Sequence, residues 1–189
     1  AWARLPETHL NRAAPGAAVS VRLFHECGGA DWPLSRKFGC STAEAEQLLV
    51  SCTEGGMACG VSFHVGSQQR DLATWHETLG VVADVFRRAR ERGARPTLLN
   101  LGGGFPGSYR DDAPAIADYG RAINAALAAW FPPGESGLDE LMVEPGRYLV
   151  ADAGVLRSEV VLVSHRSVDE MARWVYLDVG KFHGLAETM

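Results

Sequence analysis

The stretch "LNLGGGFPGS", residues 99–108, ends an apolar run in three consecutive glycines followed by Phe-Pro-Gly. Glycines in that position either make a loose turn or strip the backbone bare so that something can come close to it. Which of the two applies depends on the surrounding elements. Apolar, β-rich segments recur at "AAVSVRLF" (17–24), "CGVSFHV" (59–65), "PTLLNLG" (96–102) and "LMVEPG" (141–146), and each reads as a strand. Helical patterns lie between them at "STAEAEQLLVSC" (41–52), "LATWHETLGVVADVFRRARERG" (72–93) and "DAPAIADYGRAINAALAAWF" (112–131). Ser41 followed by Glu44 makes a capping box, and Gly93 sits where the second helix stops after a basic last turn.

Alternating strands and helices with near-continuous apolar strands imply an α/β fold with a parallel sheet covered on its faces. Two architectures satisfy this, an open doubly wound sheet or part of a (β/α) barrel. In both, ligands collect at the C-terminal ends of the strands. Three of the four strands end there in unusual chemistry, "FHVGSQ", "LGGGFPG" and "EPGRY". After "EPGRYLVADAG" the pattern changes, because "SEVVLVSHR" (158–166) and "RWVYLDVG" (173–180) read as strands with only a polar turn between them. An all-β second domain is expected to start there.

Composition narrows the function classes. The 189 residues are 47% hydrophobic and 22% charged, enough to bury a sizeable core. The formal charge of −5 is mild and interspersed, with no basic stripe for nucleic acid, so a small ligand is the expected partner. No apolar run has the length of a membrane span, and "AWARLPETHL" lacks the regions of a secretory signal, which leads to the expectation of a soluble, cytoplasmic protein. Cys27, Cys40, Cys52 and Cys59 form no CxxC pair and have no matching histidine spacing, so free thiols are expected rather than a metal site. Only Lys37 and Lys181 are lysines, which limits any chemistry that needs an amine. The chain begins at Ala1 and ends at "GLAETM", as a piece of a longer protein would.

Taken singly, the strand-end residues are ordinary. A glycine run makes a turn, His64 can be structural, and Glu144 with Arg147 can be a surface pair around Pro145-Gly146. Taken together they bring an imidazole, a bare-backbone cradle at Gly102, Gly103 and Gly104, the Ser67 hydroxyl, a cation and a carboxylate to one barrel mouth. Those are the parts needed to hold a phosphorylated, nitrogen-containing aromatic ring.

"GVSFHVGSQ", "LNLGGGFPGS" and "EPGRYLVADAGVL", with "GADWPLSRKFGCS" upstream and "YLDVGKFHGLAETM" downstream, resemble the pyridoxal-phosphate-dependent ornithine, lysine and diaminopimelate decarboxylase family. "FHVGSQ" and "GGGFPG" lean toward its ornithine/lysine branch. The resemblance implies an alanine-racemase-like (β/α)8 TIM-type barrel followed by a β domain. Residues 1–154 would be the C-terminal part of the cofactor-binding barrel and 155–189 the beginning of the β domain.

The resemblance also implies roles. His64 stacks on the pyridoxal 5'-phosphate ring, while Ser67, Gly102, Gly103, Gly104 and the backbone of Pro145, Gly146 and Arg147 bind its phosphate. Glu144 pairs with the pyridine nitrogen, favouring the protonated ring and making it a better electron sink. Arg147 either offers charge to the phosphate or holds its turn. The family uses the lysine matching Lys37 near a subunit contact, so it is not the cofactor's attachment point. His183 stands where the family commonly has a glycine, beside Phe182 near the dimer's active site, and either tunes substrate choice or replaces a loop residue. The implied activity is decarboxylation of ornithine or lysine to a diamine for polyamine synthesis, by a homodimer. Diaminopimelate decarboxylation and a non-catalytic homologue that binds a protein are the alternatives. The family's attachment lysine would precede Ala1 and its cysteine loop would follow Met189, so this segment alone is expected to be inactive.

Overall fold

The computed structural model describes residues 16–32, 38–109, 112–169 and 171–185. In chain order the elements are β1 (Val19–Arg22), β2 (Ala30–Trp32), α1 (Thr42–Glu54), β3 (Cys59–Ser62), β4 (Ser67–Gln69), α2 (Ala73–Glu91), β5 (Pro96–Asn100), α3 (Ile116–Trp130), β6 (Glu140–Met142), α4 (Gly146–Val150), β7 (Val160–Ser164) and β8 (Trp174–Leu177). The chain divides into two compact units, one through Ala151 and one from Asp152.

In the first unit β1, β3, β5 and β6 form one parallel sheet in that order. The order decides between the two architectures that alternating strands and helices allow, in favour of the barrel that the family resemblance implies. A doubly wound sheet reverses its strand order at a switch point, whereas here each new strand joins on the same side of the last. Right-handed crossovers then place the three connecting helices on one face, and α1 packs on α2 and α2 on α3. This is the arc of a (β/α) barrel, with helices outside and the opposite face turned to the barrel interior.

The helices form where the sequence places them, with small shifts at their ends. Ser41 Oγ accepts the Glu44 amide at 3.3 Å and the Glu44 carboxylate accepts the Ser41 amide at 3.0 Å, so α1 starts on the expected capping box. The Ser41 amide, and after it the Ser41 hydroxyl, which donates to the same carboxylate oxygen at 2.8 Å, hold the Glu44 carboxyl below its ordinary range. Gly93, at φ 91°, closes α2 by donating to the Arg90 carbonyl. The third helix begins at Ile116 rather than 112, because Pro114 disfavours helical geometry in the residue before it. Asp118 caps the delayed start by accepting the Ala115 amide at 3.1 Å. Along α2, Trp75, Leu79, Val82, Phe86 and Ala89 are buried at helical spacing and cover the outer side of the sheet.

The glycine stretch is tied to this core by its aromatic residue. Phe105, 5% exposed, packs with ring centroids 5.4 Å from Trp75 and 5.9 Å from Tyr119. "GGGFPG" is therefore a loop nailed down at Phe105, not a slack turn.

One supersecondary feature went unread in the sequence. β2 and β4 pair antiparallel, Ala30 with Gln69 and Trp32 with Ser67, and this short ribbon crosses the strand ends. Its keystone is Gln69, with no exposed surface. The Gln69 amide nitrogen donates to the carbonyls of Gly28 (2.7 Å) and Val65 (3.0 Å), and its side-chain oxygen accepts from the Asp71 amide at 2.9 Å. Its backbone N–H donates to Gly104 and its carbonyl accepts from the Tyr119 hydroxyl. Gln69→Leu, similar in volume, takes the side-chain partner away from three backbone groups, the carbonyl of buried Val65 among them. It is expected to lower stability by about 3 kcal/mol or more, read as a shift of the urea midpoint of the full-length protein at unchanged slope.

In the second unit β7 and β8 pair antiparallel, with Val163 opposite Val175 and Ser164 opposite Trp174. A two-stranded ribbon cannot bury both its faces, and Val161, Leu162, Val175 and Tyr176 are exposed within it. A short 3₁₀ turn at Lys181–His183 follows.

Candidate active site

Register explains why three distant motifs meet. Arg22 lies opposite Ser62, Ser62 opposite Asn100, and Asn100 opposite Met142. Paired residues in neighbouring strands share a face, and the alternate row, Val21, Val61 and Leu99, is buried against the helices. The Arg22–Ser62–Asn100–Met142 row therefore faces the barrel interior. Two residues further along, on the same face at the C-terminal ends, stand His64, Gly102 and Glu144.

The glycines are glycines because backbones crowd there. A Cβ on Gly102 would lie 2.0 Å from the Phe63 carbonyl oxygen, and one on Gly104 would lie 2.6 Å from that of Gly66. Both have positive φ, 65° and 107°. A Cβ on Gly103 would come within 2.8 Å of the Glu144 carbonyl and 3.0 Å of His64 Nε2. The first cause of the run is thus close approach between neighbouring strand ends, and a bare surface at the mouth is its consequence.

His64 accepts the Gly66 amide on Nδ1 at 3.0 Å, which places any ring proton of the neutral form on Nε2. Burial lowers its pKa and the Arg22 charge lowers it further, against a smaller upward pull from Glu144. The balance favours the uncharged form of the ring. Across from it, Glu144 is held by a residue that had no role in the sequence reading. Asn100, 8% exposed, donates from Nδ2 to Glu144 Oε1 at 2.7 Å and accepts the Gly102 amide on Oδ1 at 2.9 Å. The Glu144 amide donates to the Gly102 carbonyl at 2.8 Å, closing the loop. One carboxylate oxygen is thereby fixed, and the described residues supply no donor for the other. The signal for Asn100 was an amide in the middle of "PTLLNL", a strand otherwise apolar enough to be buried.

A second cluster forms around Arg147, on α4. Its Nε donates to Ser67 Oγ at 3.2 Å and its Nη1 to the Tyr109 hydroxyl at 3.1 Å. Ser67 and Arg147, both half-buried, are joined as the sequence grouped them, and Tyr109 is an addition. Gly146 spends its amide on the Glu144 carbonyl at 2.8 Å, within its own turn, and Pro145 precedes the helix.

The backbone tests whether this cup fits a phosphorylated ligand. Gly103 is buried, yet among the described residues its amide and that of Gly104 find no acceptor. Buried amides are nearly always paired, so the one left open at Gly103, with that of half-buried Gly104 next to it, suits an anion. Residues 7–151 match the model of the pyridoxal-dependent decarboxylases, pyridoxal binding domain. The chain belongs to this family. A lysine/ornithine decarboxylase of Selenomonas ruminantium is 34% identical over 176 residues, 89% of this chain and 42% of that protein. An antizyme inhibitor 2 of Xenopus laevis is 34% identical over 153 residues, 80% of this chain and 33% of that protein. The crystal structure of a lysine/ornithine decarboxylase complexed with putrescine from Vibrio vulnificus superposes with a TM-score of 0.72 at 29% identity, covering 97% of this chain and 46% of that one. The chain thus spans less than half the length of these relatives.

Lys37 lies outside the described residues. In the second unit His183 folds back on its own turn, where Nδ1 accepts the Gly180 amide at 3.2 Å, and Phe182 is 96% exposed.

Proposed function

We propose that the full-length protein uses pyridoxal phosphate to decarboxylate a basic amino acid, ornithine first and lysine second, releasing a diamine for polyamine synthesis. The observation that carries this reading is the Asn100 clamp, which presents one bare oxygen of Glu144 on the same sheet face as the neutral ring of His64. Bound there, the cofactor supplies an electron-poor ring that takes up the electron pair left when CO₂ departs. The chain's own residues hold that ring in its electron-poor state. Glu144 would accept a hydrogen bond from the protonated pyridine nitrogen, His64 would cover the ring without adding charge, and Ser67, Arg147 and the open amides of Gly103 and Gly104 would take the phosphate. Pro145 and Gly146 shape the turn from which Arg147 reaches it. The kinship with lysine/ornithine decarboxylases supports the choice of substrate class.

A second reading, a non-catalytic homologue that binds a protein, is favoured by the equal identity to an antizyme inhibitor. One experiment separates them. The full-length protein is loaded with pyridoxal phosphate and assayed for CO₂ released from carboxyl-labelled ornithine, lysine and diaminopimelate. Release from ornithine, with lysine slower, is expected. Cofactor uptake with no CO₂ from any of the three overturns the decarboxylase reading, and release from diaminopimelate alone moves the substrate to that branch.

A further inference from the structure

Tyr109 follows the glycine stretch, and its spacing in the sequence gives it no task. Its side chain is 56% exposed, so it contributes little to the core. It is nevertheless held. Gly107 donates its amide to Gln68 Oε1 at 2.7 Å, and Gln68 is the one non-glycine residue at positive φ (55°) among the described residues, 6% exposed. A backbone in that conformation costs free energy and persists only where its surroundings fix it. A Cβ on Gly107 would meet Ala151 Cβ at 2.5 Å, with Arg147 Cγ and Tyr109 Cε2 both at 3.6 Å, so its bareness lets the tyrosine loop and α4 close on each other.

What the closure achieves is a matched pair of hydroxyls. One guanidinium donates to Ser67 Oγ through Nε and to the Tyr109 oxygen through Nη1. An oxygen that accepts from arginine still carries its own proton, and the described residues offer neither hydroxyl an acceptor. Two O–H donors held by one cation suit a tetrahedral oxyanion, whose oxygens accept from hydroxyls as well as from guanidinium groups.

We infer that Tyr109 donates its hydroxyl to the cofactor's phosphate, as a second arm of the cradle opposite Ser67. The inference rests on the pyridoxal-phosphate reading of the cup and extends it to a residue that reading does not require. The test measures binding, not turnover. Full-length protein freed of cofactor is titrated with pyridoxal phosphate and, separately, with pyridoxal, which has the same ring and aldehyde but no phosphate. Tyr109→Phe keeps the ring and removes only the oxygen. It is expected to raise the Kd for pyridoxal phosphate about tenfold, the loss of one hydrogen bond to a charged group at a partly exposed site. The Kd for pyridoxal should stay within about twofold of the unsubstituted protein's, as no phosphate contact is lost. An unchanged Kd for pyridoxal phosphate overturns the assignment, and so does an equal rise for both ligands, which would make Tyr109 a support for the loop. If the unsubstituted protein binds neither ligand, the pyridoxal-phosphate reading itself falls, an outcome distinct from the other two.

Discussion

Glu144→Gln in the full-length protein is expected to lower kcat for decarboxylation by about a hundredfold or more while leaving much of the bound cofactor in place. The substitution is nearly isosteric, and a glutamine oxygen can still accept from Asn100, so the clamp at 2.7 Å survives in outline. What disappears is the negative charge. A carboxylate beside the pyridine nitrogen favours its protonated form, whereas a carboxamide can turn its NH₂ toward that nitrogen and favour the unprotonated one. The ring then withdraws electrons less strongly at the moment the carbon–carboxylate bond breaks. The contact acts in the transition state more than in the ground state, so the loss belongs in kcat rather than in cofactor affinity or KM. Steady-state kinetics together with cofactor absorbance read both quantities. Full turnover in Glu144→Gln would remove the nitrogen-pairing role from this residue.

How much of this could be read from the sequence depends on which interactions are local. Strand, helix and capping signals repeat at short spacing, so "STAEAEQLLVSC" announced both its helix and its cap. The three strand-end motifs were legible because unusual residues recurred at equivalent places. Neither Asn100 nor Gln69 was legible as a hub. Each looks like an isolated polar residue, and its meaning comes from partners 44 positions away in the case of Glu144 and 41 in the case of Gly28. The β2–β4 ribbon was missed for the same reason, since three-residue strands carry too little periodicity to stand out. In the sequence the glycines point to a backbone cleared for a ligand, whereas the larger part of their cause is packing between neighbouring strand ends. The alternation of strands and helices alone does not choose between barrel and open sheet, because that depends on which edge each new strand joins; the family resemblance does imply the barrel, and the strand order agrees with it.

The packing cause gives the glycine run its own measurable consequence. Gly102→Ala is expected to lower stability by about 3–5 kcal/mol, a large part of the 5–15 kcal/mol that typically holds a domain folded. Two costs add. At φ 65° an alanine pays roughly 1–2 kcal/mol for left-handed backbone, and its methyl would stand 2.0 Å from the Phe63 carbonyl oxygen. That oxygen is backbone, so no rotamer change relieves the overlap. The β3 and β5 ends must move apart, stretching the bond at 3.1 Å from the Phe63 amide to the Asn100 carbonyl and displacing the amide that Asn100 accepts. Gly120→Ala supplies the comparison within the same fold. Its site on α3 has nothing within 4 Å, and the helix gains up to about 1 kcal/mol from the better helix former. Urea unfolding of the two full-length variants should therefore move in opposite directions. A Gly102→Ala midpoint as high as that of the unsubstituted protein would mean that the strand ends have slack, and the glycines would return to being a surface cleared for the ligand alone.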